Sequence, residues 1–172
     1  PSVWSFFGKA QFDWSPAMIG GSLALFGVAM ALVQGVLIRP VLARFGERGT
    51  VLFGYVFSVA TYFLIATITS SMTILILTPM AALAGVIPAA LQGVMSQAVA
   101  QNAQGELQGV LTSASALAMV VGPLVMTGTF AVFTAPEAAI YFPGAPFLLS
   151  MVLTIVAVSV FLRWRVPTGG AT

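Results

Sequence analysis

Long, unbroken runs of apolar residues separated by short polar stretches dominate the sequence. Each run is close to the roughly 20 residues that a helix needs to cross the hydrocarbon core of a membrane. The runs do not alternate with polar residues, which disfavours the strands of a membrane barrel. The pattern predicts an all-α, polytopic membrane protein with five transmembrane helices in one bundle. These helices should extend over Ala17 to Ile38, Val51 to Thr69, Met72 to Met95, Leu107 to Phe133 and Ala145 to Leu162.

The stretches between the runs carry residues that typically begin or end helices. Residues 13–16, Asp-Trp-Ser-Pro, predict a helix start with an interfacial Trp, and Ser70 with Ser71 predicts a tight turn. Residues 101–106 are polar, and residues 134–146 contain three prolines and a glycine. Each apolar run is therefore bounded on local grounds.

The first residues, PSVWSFF, look like the end of a further span. A signal peptide would instead carry basic residues ahead of its apolar core. We therefore expect residues 1–172 to be the end of one span plus five complete spans within a longer polypeptide. An exposed or groove-like apolar face should then remain where the rest of that polypeptide docks.

Composition strengthens the membrane assignment and excludes several kinds of chemistry. Hydrophobic residues make up 59% of the chain and charged residues 6%, whereas soluble domains carry about 25% charged residues. The chain has no Cys and no His, so thiolate or imidazole metal sites and His-based acid/base catalysis are excluded. We expect a lipid bilayer as surroundings, no metal, no cofactor and, with a net charge of only +2, no nucleic-acid partner.

The basic residues indicate orientation. Five spans place Arg39, Arg44, Arg48, Arg163 and Arg165 on one side of the membrane and Lys9 on the other. Cytoplasmic loops of membrane proteins are enriched in Lys and Arg. The arginine side, including the C-terminus, is therefore predicted to be cytoplasmic.

The hairpin IRPVLARFGERG, residues 38–49, holds much of the charge of the chain. Physically, Gly46 permits a tight turn with positive φ, and Arg44 and Arg48 can cap the carbonyl end of a helix. Glu47 can pair with a basic group or a helix N-terminus. The simpler interpretation is that basic residues merely anchor a cytoplasmic loop.

This hairpin resembles the loop signature of the major facilitator superfamily. The residues that carry the resemblance are Arg39, Pro40, Arg44, Gly46, Glu47 and Arg48. The acidic residue usual at the start of the stronger copy is absent, so the hairpin looks like the second copy. The resemblance implies a gating loop made of Arg39, Arg44, Gly46, Glu47 and Arg48.

Four blocks together resemble the C-terminal half of the tetracycline-efflux family of drug:proton antiporters. They are FDWSPAMIGGSLALFG, RPVLARFGERG, AGVIPAALQGVMSQAV and QGELQGVLTSASALAMVVGPLV. The resemblance implies alternating access and export of a small hydrophobic drug in exchange for protons. It also implies a bacterial inner membrane, and assigns the five runs to spans eight to twelve.

The acidic residues limit what these spans can do by themselves. Asp13, Glu47, Glu106 and Glu137 all map to loops or helix ends, so a proton-coupling carboxylate is expected outside this chain. Ser58 stands where well-known tetracycline pumps carry an acidic residue. Since a hydroxyl cannot replace a carboxylate in proton exchange, both tetracycline and a different hydrophobic drug remain open as substrates.

Two groups of residues are candidates for the substrate path. Phe26, Met30 and Gln34 recur at four-residue spacing and share one helix face, although packing between helices would explain that face equally well. Helix-distorting residues mark the runs 72–95 and 107–133 as bent, cavity-lining helices. The candidates in these two runs are Gly85, Pro88, Gln92, Met119, Gly122 and Pro123.

The sequence LQGV occurs at residues 91–94 and again at 107–110. Gln92 and Gln108 are therefore predicted to form a hydrogen bond across the hairpin between them. Two alternatives to drug export remain open, a major facilitator for another small solute and a non-transporting membrane scaffold. An enzyme is disfavoured because no His, Cys or intramembrane carboxylate is available.

Overall fold

The protein, a computed structural model that describes residues 2–164, is built from helices and turns, and that range contains no strand. Two short irregular helices interrupt the longer ones: a π-helical turn at Val33–Leu37 and a 3-10 turn at Ala82–Val86. A second 3-10 turn, Gln101–Ala103, precedes α6. The α-helices are α1 (Ser2–Phe12), α2 (Pro16–Leu32), α3 (Ile38–Thr67), α4 (Ser71–Ala81), α5 (Ile87–Gln97), α6 (Gln104–Thr134) and α7 (Ala145–Arg163).

Four stretches of residues 2–164 are long and apolar enough to cross a membrane. They are Pro16–Thr67, Ser71–Gln97, Gln101–Thr134 and Ala145–Arg163. The first has 52 residues, which at about 1.5 Å per residue is more than twice the length required for a core of about 30 Å. A break is therefore required within it.

Gly46 provides that break. Its φ of 65° and ψ of 177° lie outside the helical region, in backbone space that glycine adopts readily. Phe53, after the break, packs with Leu37 and Ile38, before it, around buried Val33, so the chain folds back on itself. The predicted turn with positive φ at Gly46 is confirmed. Helix continues on both sides of Gly46, so the turn of the predicted hairpin is confined to this residue.

The two ends of the bundle are defined by contacts between distant residues. At one end, the start of α3 meets the last turns of α5 and α7, and the Arg48 guanidinium donates a hydrogen bond of 2.8 Å to the Trp164 carbonyl. At the other end, Trp14 Nε1 donates to Ser71 Oγ at 2.5 Å. Of the five arginines predicted to share one side, four thus lie at one end of the bundle, and Lys9 lies at the opposite end. The fifth, Arg165, lies outside the described residues. The four are Arg39, Arg44, Arg48 and Arg163.

The two irregular turns pack against each other inside the bundle. Val33 of the π-helical turn and Ala82 and Val86 of the 3-10 turn form one buried cluster. Pro79 lies in α4 just before the 3-10 turn, and Pro88 lies in α5 just after it. The helix predicted over the run 72–95 is therefore interrupted by a 3-10 turn between two prolines. In α6, helix continues without interruption through Pro123.

The opposite end of the bundle is filled by aromatic rings. Phe7 and Trp14 are buried there, and Phe147 lies 4.8 Å from Phe7 between ring centroids. The predicted helix start is confirmed, since Ser15 caps α2 by accepting a hydrogen bond from the Met18 backbone N–H. Trp14 is buried among these rings, so the expectation that it faces the lipid interface is wrong.

The hairpin between α5 and α6 is closed differently from the prediction. Gln104 Nε2 donates to the carbonyl oxygens of Ser96 at 2.8 Å and Val99 at 3.2 Å. Gln92 and Gln108 are both exposed, and no side-chain hydrogen bond joins them within residues 2–164. The predicted Gln92–Gln108 bond is therefore wrong, because α6 packs against α1 and α7 rather than against α5.

Helix α6 lies at the edge of the bundle. It contains no buried residue, and its largest apolar side chains are among the most exposed in the protein, with Met119 at 78% and Leu124 at 68%. Its helix neighbours are α1 and α7. The expected exposed apolar face is therefore present along α6.

Replacement of Gly144 should destabilise the protein. Gly144 precedes the first residue of α7, and a Cβ added there would overlap the backbone carbonyl oxygen of Ala66 in α3. A backbone atom cannot move aside as a flexible side chain can. We expect Gly144→Ala to lower the free energy of unfolding by about 1–3 kcal/mol, measured by denaturation in detergent micelles. Gly128→Ala is the matched control, since its Cβ would meet no atom within 4 Å. Equal stability of the two variants would contradict this packing.

Replacement of Arg48 should loosen the end of α7. Its guanidinium donates to the carbonyls of Phe161 at 3.4 Å and Trp164 at 2.8 Å, and lies 5.3 Å from the Phe161 ring centroid. We expect Arg48→Ala to cost about 1–2 kcal/mol and to increase protease cleavage after Arg163. Arg44→Ala, which removes an exposed side chain that lies 6.0 Å from the Phe45 ring centroid, should leave cleavage unchanged. Identical cleavage in both variants would show that Arg48 does not hold α7.

Candidate functional site

A cavity of about 550 Å³ lies inside the bundle, between α2, α3 and the bent segment from α4 to α5. Trp4 of α1 and Phe147 of α7 close one side of it. Most of its wall is apolar, and six polar side chains contribute the rest. These six are Trp4, Ser22, Ser58, Thr61, Tyr62 and Thr78.

Four of the predicted substrate-path residues meet at this cavity. Phe26 and Met30 line it from α2, Gly85 from the 3-10 turn and Pro88 from the start of α5. Gln34 lies one helical turn further along in the π-helical turn, and its amide approaches Gly85 without lining the cavity. The helix face inferred from four-residue spacing therefore reaches the cavity for two of its three members.

The other four candidates lie elsewhere. Gln92 is exposed on α5, one turn beyond Pro88. Met119, Gly122 and Pro123 belong to α6, which contributes no residue to the cavity wall. The structure thus does not bring these four to the cavity, and their part in a substrate path stays a prediction.

Met30 and Gly85 form a close contact at the edge of the cavity. A Cβ added to Gly85 would overlap the Met30 sulfur and lie 3.2 Å from its methyl carbon. The thioether therefore occupies the space that the missing side chain leaves. This contact lets the last turn of α2 approach the 3-10 turn closely.

Three hydroxyl groups of the wall use their protons within their own helices. Ser58 Oγ donates to the Gly54 carbonyl at 3.0 Å, and Thr78 Oγ1 donates to the Ile74 carbonyl at 2.8 Å. Ser22 Oγ donates to the Ile19 carbonyl at 2.7 Å and accepts from Trp4 Nε1 at 2.8 Å. In each case the oxygen is held in place, and its remaining lone pairs can only accept a hydrogen bond.

The sequence analysis missed several residues of this wall. Thr61, Tyr62, Trp4, Ser22 and Thr78 line the cavity although none was a candidate, and Ser58 was noticed only through the family resemblance. A usable pattern existed in α3, where Ser58, Thr61, Tyr62 and Ile65 follow helical spacing on one face. Trp4 and Thr78 had no comparable sequence pattern, since only tertiary packing brings them there.

Among residues 2–164, no charged side chain lines the cavity. The carboxylates of residues 2–164 belong to the turn before α2, the Gly46 hairpin, the start of α6 and the loop after it. A drug entering this cavity would therefore meet aromatic, thioether and hydroxyl groups. Such a wall suits apolar ligands with a few hydrogen-bonding atoms.

The predicted gating loop borders a second cavity of about 640 Å³ at the arginine end. Gly46, Glu47 and Arg48 line it together with Val94 and Gln97 of the α5 end. Arg39 and Arg44 are exposed and lie outside it. The structure therefore brings three of the five predicted loop residues together.

Glu47 is the unusual group in this second cavity. Its carboxylate lies directly over Gly93 of α5, where an added Cβ would come within 2.5 Å of Oε1. Within residues 2–164 it makes no ion pair, since the one pair there joins Lys9 and Asp13. Arg48, its neighbour, donates instead to the α7 carbonyls. Glu47 thus remains available to a cation or N–H donor from another segment.

Comparison with known proteins places the chain in a family. Residues 2–171 match the sequence profile of the Major Facilitator Superfamily. The chain is 41% identical over 124 residues to the class E tetracycline resistance protein of Escherichia coli, covering 72% of this chain and 31% of that protein. It is 36% identical over 129 residues to the class G protein of Vibrio anguillarum, covering 75% and 33%. No solved structure matches the chain significantly.

A third relative is the class C tetracycline resistance protein of Escherichia coli, 35% identical over 130 residues that cover 76% of this chain and 33% of the relative. The chain thus spans about a third of the length of these relatives. These matches confirm the resemblance drawn from the four sequence blocks, and the apolar helices agree with a multi-pass membrane protein. The chain belongs to the Major Facilitator Superfamily.

Proposed function

We propose that residues 1–172 are the C-terminal transmembrane bundle of a secondary active transporter that exports hydrophobic, drug-like compounds. The observation that carries this proposal is the uncharged cavity of about 550 Å³ between two irregular membrane helices. Secondary transporters of this kind place their substrate sites near the membrane midplane, where helices are interrupted. The match to tetracycline resistance proteins supports the same assignment.

The irregular helices supply a physical basis for alternating access. π-helical turns and 3-10 turns are less regularly hydrogen-bonded than α-helix and often occur at functional sites. Here they pack together through Val33, Ala82 and Val86, next to the Met30–Gly85 contact. A ligand that favours one arrangement of this contact shifts the population of conformations toward it.

The cavity wall supports a hydrophobic substrate over a polar one. A sugar or similar solute requires many directed hydrogen bonds, whereas three of the wall hydroxyls have their protons committed to backbone carbonyls. Ser58 provides no negative charge for a cationic drug complex. We therefore propose that the substrate, whether tetracycline or another hydrophobic drug, binds through its apolar surface.

We propose proton antiport as the energy source, with the coupling residues outside this chain. A coupling group must be titratable and reachable from both sides of the membrane. The cavity wall offers no such carboxylate among its residues. A carboxylate supplied by another part of the complete transporter is therefore required.

The arginine end of the bundle is proposed to face the cytoplasm of a bacterial cell, at its inner membrane. Positively charged loops are retained on the cytoplasmic side during membrane insertion. This orientation also places the C-terminus in the cytoplasm. Glu47 lies beside Gly93 and has no ion-pair partner among residues 2–164. It would then bind a cation or a helix N-terminus of the other bundle when the cytoplasmic side is closed.

Transport is tested with the complete protein that contains this chain. We expect inverted membrane vesicles to accumulate tetracycline or a neutral hydrophobic dye when a pH gradient is imposed, and to accumulate little without it. Gly85→Ala should displace the Met30 side chain into the cavity and lower the initial rate about fivefold, as ~1 kcal/mol of lost binding would. Gly128→Ala, on the exposed α6, should transport normally. No accumulation of either compound above that of protein-free vesicles would favour the scaffold alternative.

The role of Glu47 is tested by removing its charge and by moving it. Glu47→Gln abolishes the charge, and Gly93→Ala displaces the carboxylate from α5. We expect both to lower the transport rate severalfold while membrane insertion stays normal, because the closed state loses a charge-assisted contact. Glu137→Gln, in the loop after α6, is the matched control. Unchanged transport in both Glu47→Gln and Gly93→Ala would rule out the proposed gating role.

A further inference from the structure

Thr61 differs from Ser22, Ser58 and Thr78, the other Ser and Thr residues of the cavity wall. Most Ser and Thr side chains in these helices donate a hydrogen bond to the carbonyl four residues earlier, as Ser58, Thr67, Thr78 and Thr134 do. This arrangement satisfies a polar proton in an apolar environment. Within the part of the chain that the structure describes, the Thr61 hydroxyl has no partner of this kind.

The Thr61 hydroxyl opens onto the cavity. The residue is only 4% exposed and lines the cavity wall. Among residues 2–164, every side-chain oxygen or nitrogen that is inaccessible to solvent has a hydrogen-bond partner. The accessible part of this hydroxyl therefore faces the cavity, and its proton is free to be donated there.

Tyr62 adds a second donor on the same wall. It follows Thr61 on α3, lines the cavity, and its phenol likewise has no hydrogen-bond partner within residues 2–164. The remaining wall hydroxyls, Ser22, Ser58 and Thr78, have their protons committed to backbone carbonyls. The cavity thus presents two available donors and no formal charge.

We infer that Thr61 and Tyr62 select an uncharged, mostly apolar ligand that carries hydrogen-bond acceptors such as ketone or ether oxygens. A buried donor left unpaired is costly, so a ligand with a matching acceptor gains over a hydrocarbon of the same shape. Ser58, whose proton is already used, contributes packing but no such selection. This inference deepens the proposed function by naming its substrate class, and rests on it.

The test compares two competitors of nearly equal shape, 9-fluorenone, which carries one carbonyl, and fluorene, which carries none. The complete protein that contains this chain is placed in lipid nanodiscs and labelled with 3-trifluoromethyl-3-phenyldiazirine. Labelling of Met30 is then read by mass spectrometry. The measured quantity is the ratio of the fluorene and fluorenone concentrations that halve this labelling. Because all variants share the same lipid, membrane partitioning cancels when their ratios are compared.

Thr61→Val and Tyr62→Phe should each lower the preference for fluorenone about fivefold, the effect of one lost neutral hydrogen bond, with fluorene protection unchanged. Thr61→Ser, which keeps the hydroxyl, should retain the preference. Ser58→Ala should also retain it, because its proton does not face the ligand. Circular dichroism and labelling without competitor report whether each variant is folded.

Two results would overturn the inference. One is that the ratio of the fluorene and fluorenone concentrations is the same in the unaltered protein and in the variants Thr61→Val and Tyr62→Phe. The other is a parallel loss of protection by both competitors, which would assign Thr61 and Tyr62 a purely structural role. Ketone preference without drug accumulation in vesicles would refute the proposed transport function alone. Accumulation without ketone preference would refute this inference alone.

Discussion

Every backbone N–H and C=O group in the hydrocarbon core of a membrane requires a partner within the protein, and the rest of this structure depends on that constraint. It explains why the described chain is helical almost throughout, and why the non-helical connections between helices are confined to the bundle ends. It also explains why the departures from α-helix come as a pair, with the π-helical turn Val33–Leu37 packed against the 3-10 turn Ala82–Val86. The two segments bury Val33, Ala82 and Val86 against each other, while Gly35 and Val36 on the outer side of the π-helical turn stay exposed.

The same constraint shapes the cavity. Side-chain hydroxyls in membrane helices normally return their protons to the helix backbone, as Ser58 and Thr78 do here. A hydroxyl that does not do so, such as that of Thr61, is a costly feature that a bound ligand can satisfy. The wall therefore combines close packing, through the Met30–Gly85 contact, with a small number of available donors. Such a combination suits drug-like molecules whose surfaces are largely apolar.

Sequence and structure agree where the physics is local. The lengths of the apolar runs, the cap of α2 at Ser15 and the positive φ of Gly46 all follow from residues close together in the chain. Predictions failed where packing between segments distant in the chain decided the outcome. Trp14 is buried because the rings of Phe7 and Phe12 surround it. The bond expected between Gln92 and Gln108 does not form because α6 packs against α1 and α7, which leaves both side chains exposed.

The sequence by itself determined the membrane environment, the helical class, the turn at Gly46 and the grouping of arginines at one end. These depend on hydrophobicity, charge and backbone preference, which each residue carries wherever it is placed. Only the tertiary structure decided which polar groups meet. It brought Trp4, Ser22 and Thr61 to one cavity, kept α6 away from it, and paired Arg48 with the carbonyls of α7. Helix rotation and neighbour choice govern these contacts, because a residue's direction in space depends on packing between segments far apart in the chain.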